Sequence, residues 1–202
     1  YKNIELIVVD GSSTDKTINI LKKFKNIICI SEKDKGVYDA FNKGIKISQG
    51  NWLYFLGSDD VLYKNDVITK VFANKNLNKV DIILGKILFD NSRIHNSFFN
   101  WSLFFRNSTH HQSCFYKKSN FKNFEYDSSF KISSDYELNL KMYLKKRKAL
   151  YVNDIIANVS TQGISGQVDF KGYLEFILIL RRNVKYYYLL IIPVIFLYLG
   201  KL

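Results

Sequence analysis

The residues best suited to chemistry are two adjacent carboxylates, Asp59 and Asp60, which follow the short apolar run Trp52–Leu56. Such a run predicts a buried strand, and Gly57 and Ser58 turn the chain directly after it. A strand that ends there directs both carboxylates out of the carboxyl edge of a sheet, where open α/β sheets bind ligands. Carboxylate oxygens suit Mg²⁺ or Mn²⁺, whose coordination substrate phosphates often complete. The alternative is an ordinary polar turn.

A second carboxylate, Asp10, ends the strongly β-prone run Ile4–Val9. Apolar residues at helical spacing predict a helix over Asp15–Phe24, and Ile27–Ile30 predicts the next strand. Strand, helix and strand in this order form a βαβ unit, which implies a parallel sheet. We therefore expect Asp10 and the later pair of carboxylates at one edge of one parallel sheet. The alternative role for Asp10 is a turn residue that binds the amides of its own loop.

A third carboxylate, Asp135, stands where a helix running to about Lys148 is predicted to begin. Ser134 and Glu137 have the spacing of a capping box, which places Asp135 in the first helical turn. An acidic residue there can simply complement the helix dipole. The same field keeps its carboxylate ionised, which a general base requires.

The remaining elements complete an alternation of strands and helices that is typical of an α/β fold. A helix is predicted over Val37–Ser48, and a strand over Val80–Phe89 with a bend or bulge at Gly85. Two short strands follow, Ala149–Val152 and Ile155–Val159, and then a helix over Phe170–Arg182.

The chain then becomes strongly apolar over Tyr186–Leu199, a run of 14 residues interrupted by Pro193. Crossing a bilayer takes about 20 residues, so this run predicts a segment that lies on a membrane surface. The alternative is a helix docked on the core or on a partner subunit. The cations that favour an anionic membrane are Arg181, Arg182, Lys185 and Lys201.

Composition favours anionic partners, because 30 Lys and Arg residues against 18 Asp and Glu residues give a net charge of +12. The lysines are dispersed and no nucleic-acid motif is present, so nucleic-acid binding is the weaker interpretation. Cys29 and Cys114 lie in apolar stretches and are predicted to be buried thiols without a disulfide, as in a reducing compartment.

The order and spacing of several motifs resemble the family 2 glycosyltransferases of the GT-A fold. The resemblance covers most of the chain from Ile4 to about Val159, and it implies a mixed, mainly parallel sheet flanked by helices. It also implies a glycosyltransferase domain over residues 1–160. For residues 161–202 the apolar run described above predicts a C-terminal helical segment that associates with a membrane. The motifs are IELIVVDGSSTDKT, SEKDKGVYDAFNKGIKISQGNWLYFLGSDD, and HQSCFYKKSNF followed by KISSDYEL.

For the donor, the resemblance implies a nucleotide-sugar with Mg²⁺ or Mn²⁺. Asp10 matches the residue that reads the nucleotide base, and Asp60 matches a metal ligand. Asp59 is expected nearer the ribose or diphosphate, and His111 lies in the segment that approaches the diphosphate and the acceptor. Lys35, beside a predicted turn, is a hypothesis of ours for a further phosphate contact.

For the reaction, the resemblance implies sugar transfer with inversion, and Asp135 matches the catalytic base. The implied donor is a UDP-sugar, and the implied acceptor is a polysaccharide or a lipid-linked glycan at the inner, cytoplasmic face of a bacterial membrane. No nucleic-acid partner is expected.

Two departures from the family pattern bear on activity. The family normally begins with a further strand and helix, so we expect that this chain lacks part of the nucleotide pocket. In addition, Ser58 stands where a strict Asp-x-Asp motif has its first aspartate. The alternative function is therefore an inactive remnant that contributes only binding or membrane association.

Overall fold

The computed structural model describes residues 1–90, 92–161 and 170–199. Its elements alternate along the chain as an α/β protein. The strands are β1 (Leu6–Asp10), β2 (Ile27–Ser31), β3 (Trp52–Tyr54), β4 (Val61–Leu62), β5 (Ile82–Phe89), β6 (Ile94–Asn96), β7 (Cys114–Lys117) and β8 (Ala149–Val159). The helices are α1 (Thr17–Leu21), α2 (Val37–Ile47), α3 (Val67–Phe72), α4 (Ser134–Leu144), α5 (Phe170–Asn183) and α6 (Tyr188–Leu199).

The strands form a mixed main sheet, as predicted, together with a small separate one. The main sheet has six strands in the order β3-β7-β5-β8-β4, with β6 also paired to β5. Only the β5–β8 ladder in it is parallel among the described residues, so the expectation of a mainly parallel sheet is wrong. The reason is connectivity, because parallel neighbours need a crossover, usually a helix. Between β5 and α4 the described residues form short 3₁₀ turns and strands that return antiparallel to β5.

The second sheet contains β1 and β2 alone, paired in parallel. The expectation that Asp10 and the later carboxylates end strands of one sheet is therefore not met in the described residues. The small sheet is attached to the main body through α2. Glu5 Oε1, at the start of β1, accepts bonds of 2.6 Å from the backbone amides of Gln49 and Gly50, just after α2.

The core is centred on β5, where successive side chains point to opposite faces of the sheet. Ile82 and Leu84 are fully buried on one face, in a cluster that also includes side chains of α4 and α5. Ile83 lies on the other face and is packed in the α3 cluster. The predicted irregularity at Gly85 is confirmed, because the β5–β8 register shifts there. A Cβ at Gly85 would meet Ile156 Cγ1 at 2.5 Å, so a side chain has no room.

Three local predictions differ from the structure. The capping box at α4 is wrong, because Ser133 is the N-cap residue and Ser134 Oγ instead accepts the backbone amide of Asp127. The two last predicted strands form one continuous strand, β8. Cys29 is exposed, because β2 is an edge strand of a small sheet, whereas Cys114 is buried in the main sheet as expected.

Helices α5 and α6 both pack one face against the core. Phe176, Ile179 and Leu180 of α5 are buried there, together with Val194 of α6. In the described residues, no helix combines the length and hydropathy needed to span a bilayer. The predicted domain boundary is adjacent to residues 162–169, and Lys201 also lies outside the described residues.

Candidate active site

The site is built around a carboxylate and an imidazole at the start of α4. Asp135 Oδ2 lies 3.2 Å from His111 Nδ1, and both side chains are largely buried. The backbone amide of Tyr136 donates to Asp135 Oδ1 at 2.8 Å, which fixes the orientation of the carboxylate. His111 itself packs its ring edge against Phe41 of α2. A carboxylate held in this way, with one oxygen beside an imidazole, is equipped to accept a proton.

The next residue in the chain connects this pair to Asp60. Gln112 Nε2 donates to Asp60 Oδ2 at 3.2 Å, so the consecutive residues His111 and Gln112 contact two of the predicted functional carboxylates, Asp135 and Asp60. Asp60 also accepts the backbone amides of Gly57 and Ser160, each at 3.2 Å. These bonds join the loop after β3, the turn before β7 and the end of β8 at one point.

The two adjacent carboxylates fit a hard divalent cation. A Cβ built on Gly57 would lie 2.8 Å from Asp60 Oδ2 and 3.1 Å from Asp59 Oδ1, so both oxygens converge on a space that any side chain would fill. Asp59 is exposed and Asp60 is buried. The described residues contain no group of three His, Cys, Asp or Glu side chains that could hold a metal. Two carboxylates with the remaining positions left to phosphate and water match the way Mg²⁺ is usually bound.

Asp10 is the last residue of β1, and hydroxyl and amide groups donate hydrogen bonds to its carboxylate. Ser31 Oγ donates to Asp10 Oδ2 at 2.7 Å, and the amide of Ser13 donates to the same oxygen at 3.1 Å. These hydrogen bonds, led by those from Ser13 and Ser31, lower the pKa of the Asp10 carboxyl. A Cβ on Gly11 would lie 2.7 Å from Asp34 Oδ2, so the loop before α2 approaches the turn after β1 closely.

Lys35 lies on that same loop, and its side chain is exposed. Its backbone amide donates to Asp39 Oδ2 at 3.0 Å, and Asp34 Oδ1 accepts the amide of Gly36 at 2.9 Å. The loop between β2 and α2 is thus held in place while the Lys35 ammonium remains accessible. The structure places Asp10 at the end of β1 and Lys35 on the neighbouring loop, and it gives neither one a contact with Asp135.

The family model for glycosyl transferase family 2 matches residues 1–136, about two thirds of the chain. The chain belongs to glycosyl transferase family 2. It is 29% identical over 184 residues to a PGL/p-HBAD biosynthesis glycosyltransferase of Mycobacterium bovis, covering 86% of this chain and 72% of that protein. Over 63 residues it is 49% identical to the Escherichia coli UDP-Glc:alpha-D-GlcNAc-diphosphoundecaprenol beta-1,3-glucosyltransferase WfaP, covering 30% of this chain and 25% of that one.

The fold of this family 2 chain matches that of the crystal structure of S. aureus TarS 1-349 in complex with UDP-GlcNAc. The TM-score is 0.70 at 19% sequence identity, over 88% of this chain and 55% of that one. The chain therefore spans little more than half of the solved structure. The family and fold predicted from the sequence motifs are confirmed, whereas the roles assigned to individual residues stay predictions.

Two further residues of the family 2 chain hold Asp135 in place, and neither was predicted. Tyr38 Oη lies 3.3 Å from Asp135 Oδ1 and donates to the carbonyl oxygen of Ile132 at 2.7 Å. Burial, with the nearby Asp135 charge, raises the pKa of Tyr38, so its hydroxyl stays protonated. The signal for Tyr38 in the sequence is weak, because an aromatic residue early in an amphipathic helix usually indicates core packing.

The other unpredicted residue is Glu175 of α5. Its carboxylate accepts the backbone amides of Lys131, Ile132 and Ser133, at 2.8, 3.0 and 2.9 Å respectively. These are the residues immediately before α4. A negative charge that binds three consecutive amides fixes the entry to the helix that carries Asp135. No local motif predicts this contact, because Glu175 lies more than 40 residues away in the sequence.

His110 has a different environment from that of its neighbour His111. Its ring meets the ring of His95 with centroids 4.5 Å apart, and it also contacts Phe89. Burial lowers the pKa of His110 to about 4, so this ring is neutral at pH 7. His110 is therefore a buried neutral ring and supplies no positive charge for phosphate.

Proposed function

We propose that this chain transfers a sugar, with inversion, from a UDP-sugar to a hydroxyl of a polysaccharide or lipid-linked glycan at the inner face of the cell membrane. The observation that carries the proposal is the pairing of His111 with Asp135 and of Gln112 with Asp60. Two consecutive residues thus connect a proton acceptor, Asp135, with Asp60, a carboxylate suited to the diphosphate end of the donor. The UDP-GlcNAc in the TarS structure and the diphosphoundecaprenol acceptor in the name of WfaP support this choice of substrates.

In the proposed reaction, the acceptor hydroxyl oxygen attacks the anomeric carbon of the donor sugar as the bond from that carbon to the diphosphate oxygen breaks. The hydroxyl proton passes to the carboxylate of Asp135, which His111 and the amide of Tyr136 orient. The nucleoside diphosphate leaves with the electron pair of the broken bond. Attack on the side opposite the leaving group inverts the configuration at the anomeric carbon.

The donor would lie between the small sheet and the main sheet in this proposal. Asp10 would contact the base, and Lys35 and His111 would contact the phosphates. Asp60 would hold Mg²⁺ or Mn²⁺, with Asp59 beside it near the diphosphate, and the metal would neutralise the charge that develops on the departing diphosphate. We assign this chemistry to a glycosyltransferase domain of residues 1–160, with residues 161–202 as a membrane-associating segment.

The proposal is tested by isothermal titration of UDP into the full chain with and without Mn²⁺. We expect binding that strengthens at least tenfold with Mn²⁺ and that loses this gain in Asp59→Asn, whose exposed side chain is not needed for folding. Asp66→Asn is the matched control, since Asp66 pairs with Lys70 on the surface of α3. A folded chain that binds no UDP in either condition contradicts the proposal and favours the inactive remnant.

A further inference from the structure

Helix α6 presents an apolar face to the outside of the protein. Tyr187, Leu190 and Val194 pack toward the core, at a helical spacing that places them on one side. The opposite side carries large apolar side chains in successive turns, which we call the α6 outer face. Its members are Tyr188, Leu189, Ile192 and Ile195, of which Leu189 and Ile192 are each 66% exposed.

This exposed apolar face is unusual for a helix on a water-facing surface. A surface helix normally turns charged or polar residues outward, and α6 contains no charged residue at all. Single exposed apolar side chains are common on soluble proteins, but a contiguous stripe marks an interaction site. The α6 outer face therefore has the character of an interaction surface.

The charges next to the stripe indicate what this surface binds. Arg181, in the last turn of α5, and Lys185, just after that helix, precede α6 and are both exposed. Two carboxylates near α5 have other partners. Asp127 pairs with Arg182 at 2.7 Å, and Glu175 binds the backbone amides before α4. Within the described residues the apolar stripe thus begins beside exposed positive charge that neither of these carboxylates pairs with.

An apolar helix face flanked by exposed cations and tyrosines fits the interface of an anionic bilayer. Tyr186 and Tyr188 are both 54% exposed, at the end of the stripe where the cations lie. Tyrosine prefers the headgroup level of a membrane, where one end of the ring is apolar and the hydroxyl is wet. At about 1.5 Å per residue, α6 is too short for a hydrocarbon core of about 30 Å, so it would lie along the surface.

A second copy of the chain fits the same face less well. In a symmetric dimer the same patch meets itself. Because α6 contains no acidic residue, such packing would give Arg181 and Lys185 no carboxylate partner on the opposing copy of this face.

We propose that the α6 outer face, with Arg181 and Lys185, binds the surface of an anionic phospholipid bilayer. This inference rests on the proposed function only in the reason for the binding, which is to keep the chain beside a lipid-linked acceptor. The binding itself needs neither donor nor metal.

The test is flotation of the full chain with phosphatidylcholine vesicles, with and without phosphatidylglycerol. We expect binding that is at least tenfold stronger to the anionic vesicles and that weakens as salt is added. The double variant Leu189→Glu, Ile192→Glu should lose at least tenfold of that affinity, and Arg181→Glu, Lys185→Glu should lose the preference for anionic lipid. Ile94→Glu is the control, because Ile94 is 52% exposed on β6 and should not affect binding.

Equal vesicle binding by wild type and the double variant would overturn the proposal. So would a concentration-dependent dimer, seen by sedimentation, that the double variant abolishes while vesicle binding is absent. The UDP titration on the same variants separates the two proposals. Vesicle binding without UDP binding contradicts the proposed sugar transfer alone. UDP binding without vesicle binding contradicts this inference, and with it the membrane-associating role of residues 161–202, but leaves the sugar transfer standing.

Discussion

The regions around Asp135 and around Asp10 are each held in place by a different kind of contact. Around Asp135, the bonding partners come from distant parts of the chain, with Tyr38 97 residues away and His111 24 residues away. Around Asp10, the partners are Ser13 and Ser31, which lie in the turn after β1 and at the end of β2. The first region is buried in the main core, whereas the second is supported by a two-stranded sheet with exposed apolar residues such as Leu6 and Ile28.

This difference indicates a division of labour between the two regions. Proton transfer requires atoms held to within a few tenths of an ångström, and a buried, cross-linked region supplies that precision. Nucleotide binding requires less exact positions of the protein atoms. Substitutions near Asp135 should therefore reduce turnover, whereas substitutions near Asp10 should reduce donor affinity.

Asp135→Asn should have the largest effect, because it removes the proton acceptor while keeping the shape of the side chain. We expect the transfer rate to fall by about 10²- to 10⁴-fold, the usual contribution of a general base. UDP affinity should stay within twofold of wild type. A variant that loses donor binding and turnover in parallel would break the distinction between the two regions.

Gly57→Ala should weaken metal-assisted donor binding by about tenfold or more. Its methyl group would approach Asp60 Oδ2 to 2.8 Å and Asp59 Oδ1 to 3.1 Å, so one carboxylate must move. Gly44→Ala is the matched control, because its Cβ meets Val9 Cγ2 at an ordinary 3.7 Å. Titration of UDP with Mn²⁺ measures both, and equal affinities would mean that Gly57 does not shape the site.

Glu175→Gln should lower turnover without a comparable loss of donor affinity. The neutral amide keeps one oxygen for the three backbone amides of residues 131–133, so the start of α4 becomes less well fixed. A loss of about 1.4 kcal/mol in transition-state stabilisation corresponds to a tenfold lower kcat. Glu125→Gln, on an exposed ion pair with Lys46, is the control. An unchanged kcat would show that the contacts of Glu175 with these amides contribute to stability alone.

Asp10→Asn should lower donor affinity and leave turnover unchanged, in contrast to substitutions near Asp135. One oxygen is replaced by an amide donor that faces the hydroxyl of Ser31 or the amide of Ser13, so the turn loses a hydrogen bond. We expect roughly three- to tenfold weaker UDP binding, from about 1 kcal/mol of lost bonding. The kcat at saturating donor should be unchanged. A large fall in kcat would place Asp10 in the catalytic step.

The smallest effect on activity is expected from His110, whose titration acts on the stability of the fold. Burial lowers the pKa of His110 to about 4 from its usual 6.5, so between these values the unfolded chain binds the proton more readily. Stability from the neutral ring is complete above pH 6.5 and falls as the pH drops toward 4, by at most about 1.4 kcal/mol per pH unit. Urea unfolding of His110→Phe should show a shallower loss over this range. Parallel curves for the two proteins would mean that the ring titrates normally.

Residue patterns determined much of the local structure and the family. The α2 helix, the irregular β5 strand and the turns after β1 and β3 follow from apolar periodicity and from glycine and aspartate at strand ends. The motif order from Ile4 to Val159 was specific enough to give the family. These features are local, since each depends on residues close together in the chain.

Only the tertiary structure decided the connections across the sequence. Which strand pairs with which placed β1 outside the main sheet and left Cys29 exposed, and no local pattern records a pairing partner. The contacts of Tyr38 and Glu175 with the region around Asp135 join segments more than 40 residues apart. Because such contacts form only on folding, the sequence pointed to the carboxylates, and the fold determined which of them have neighbouring bonding partners.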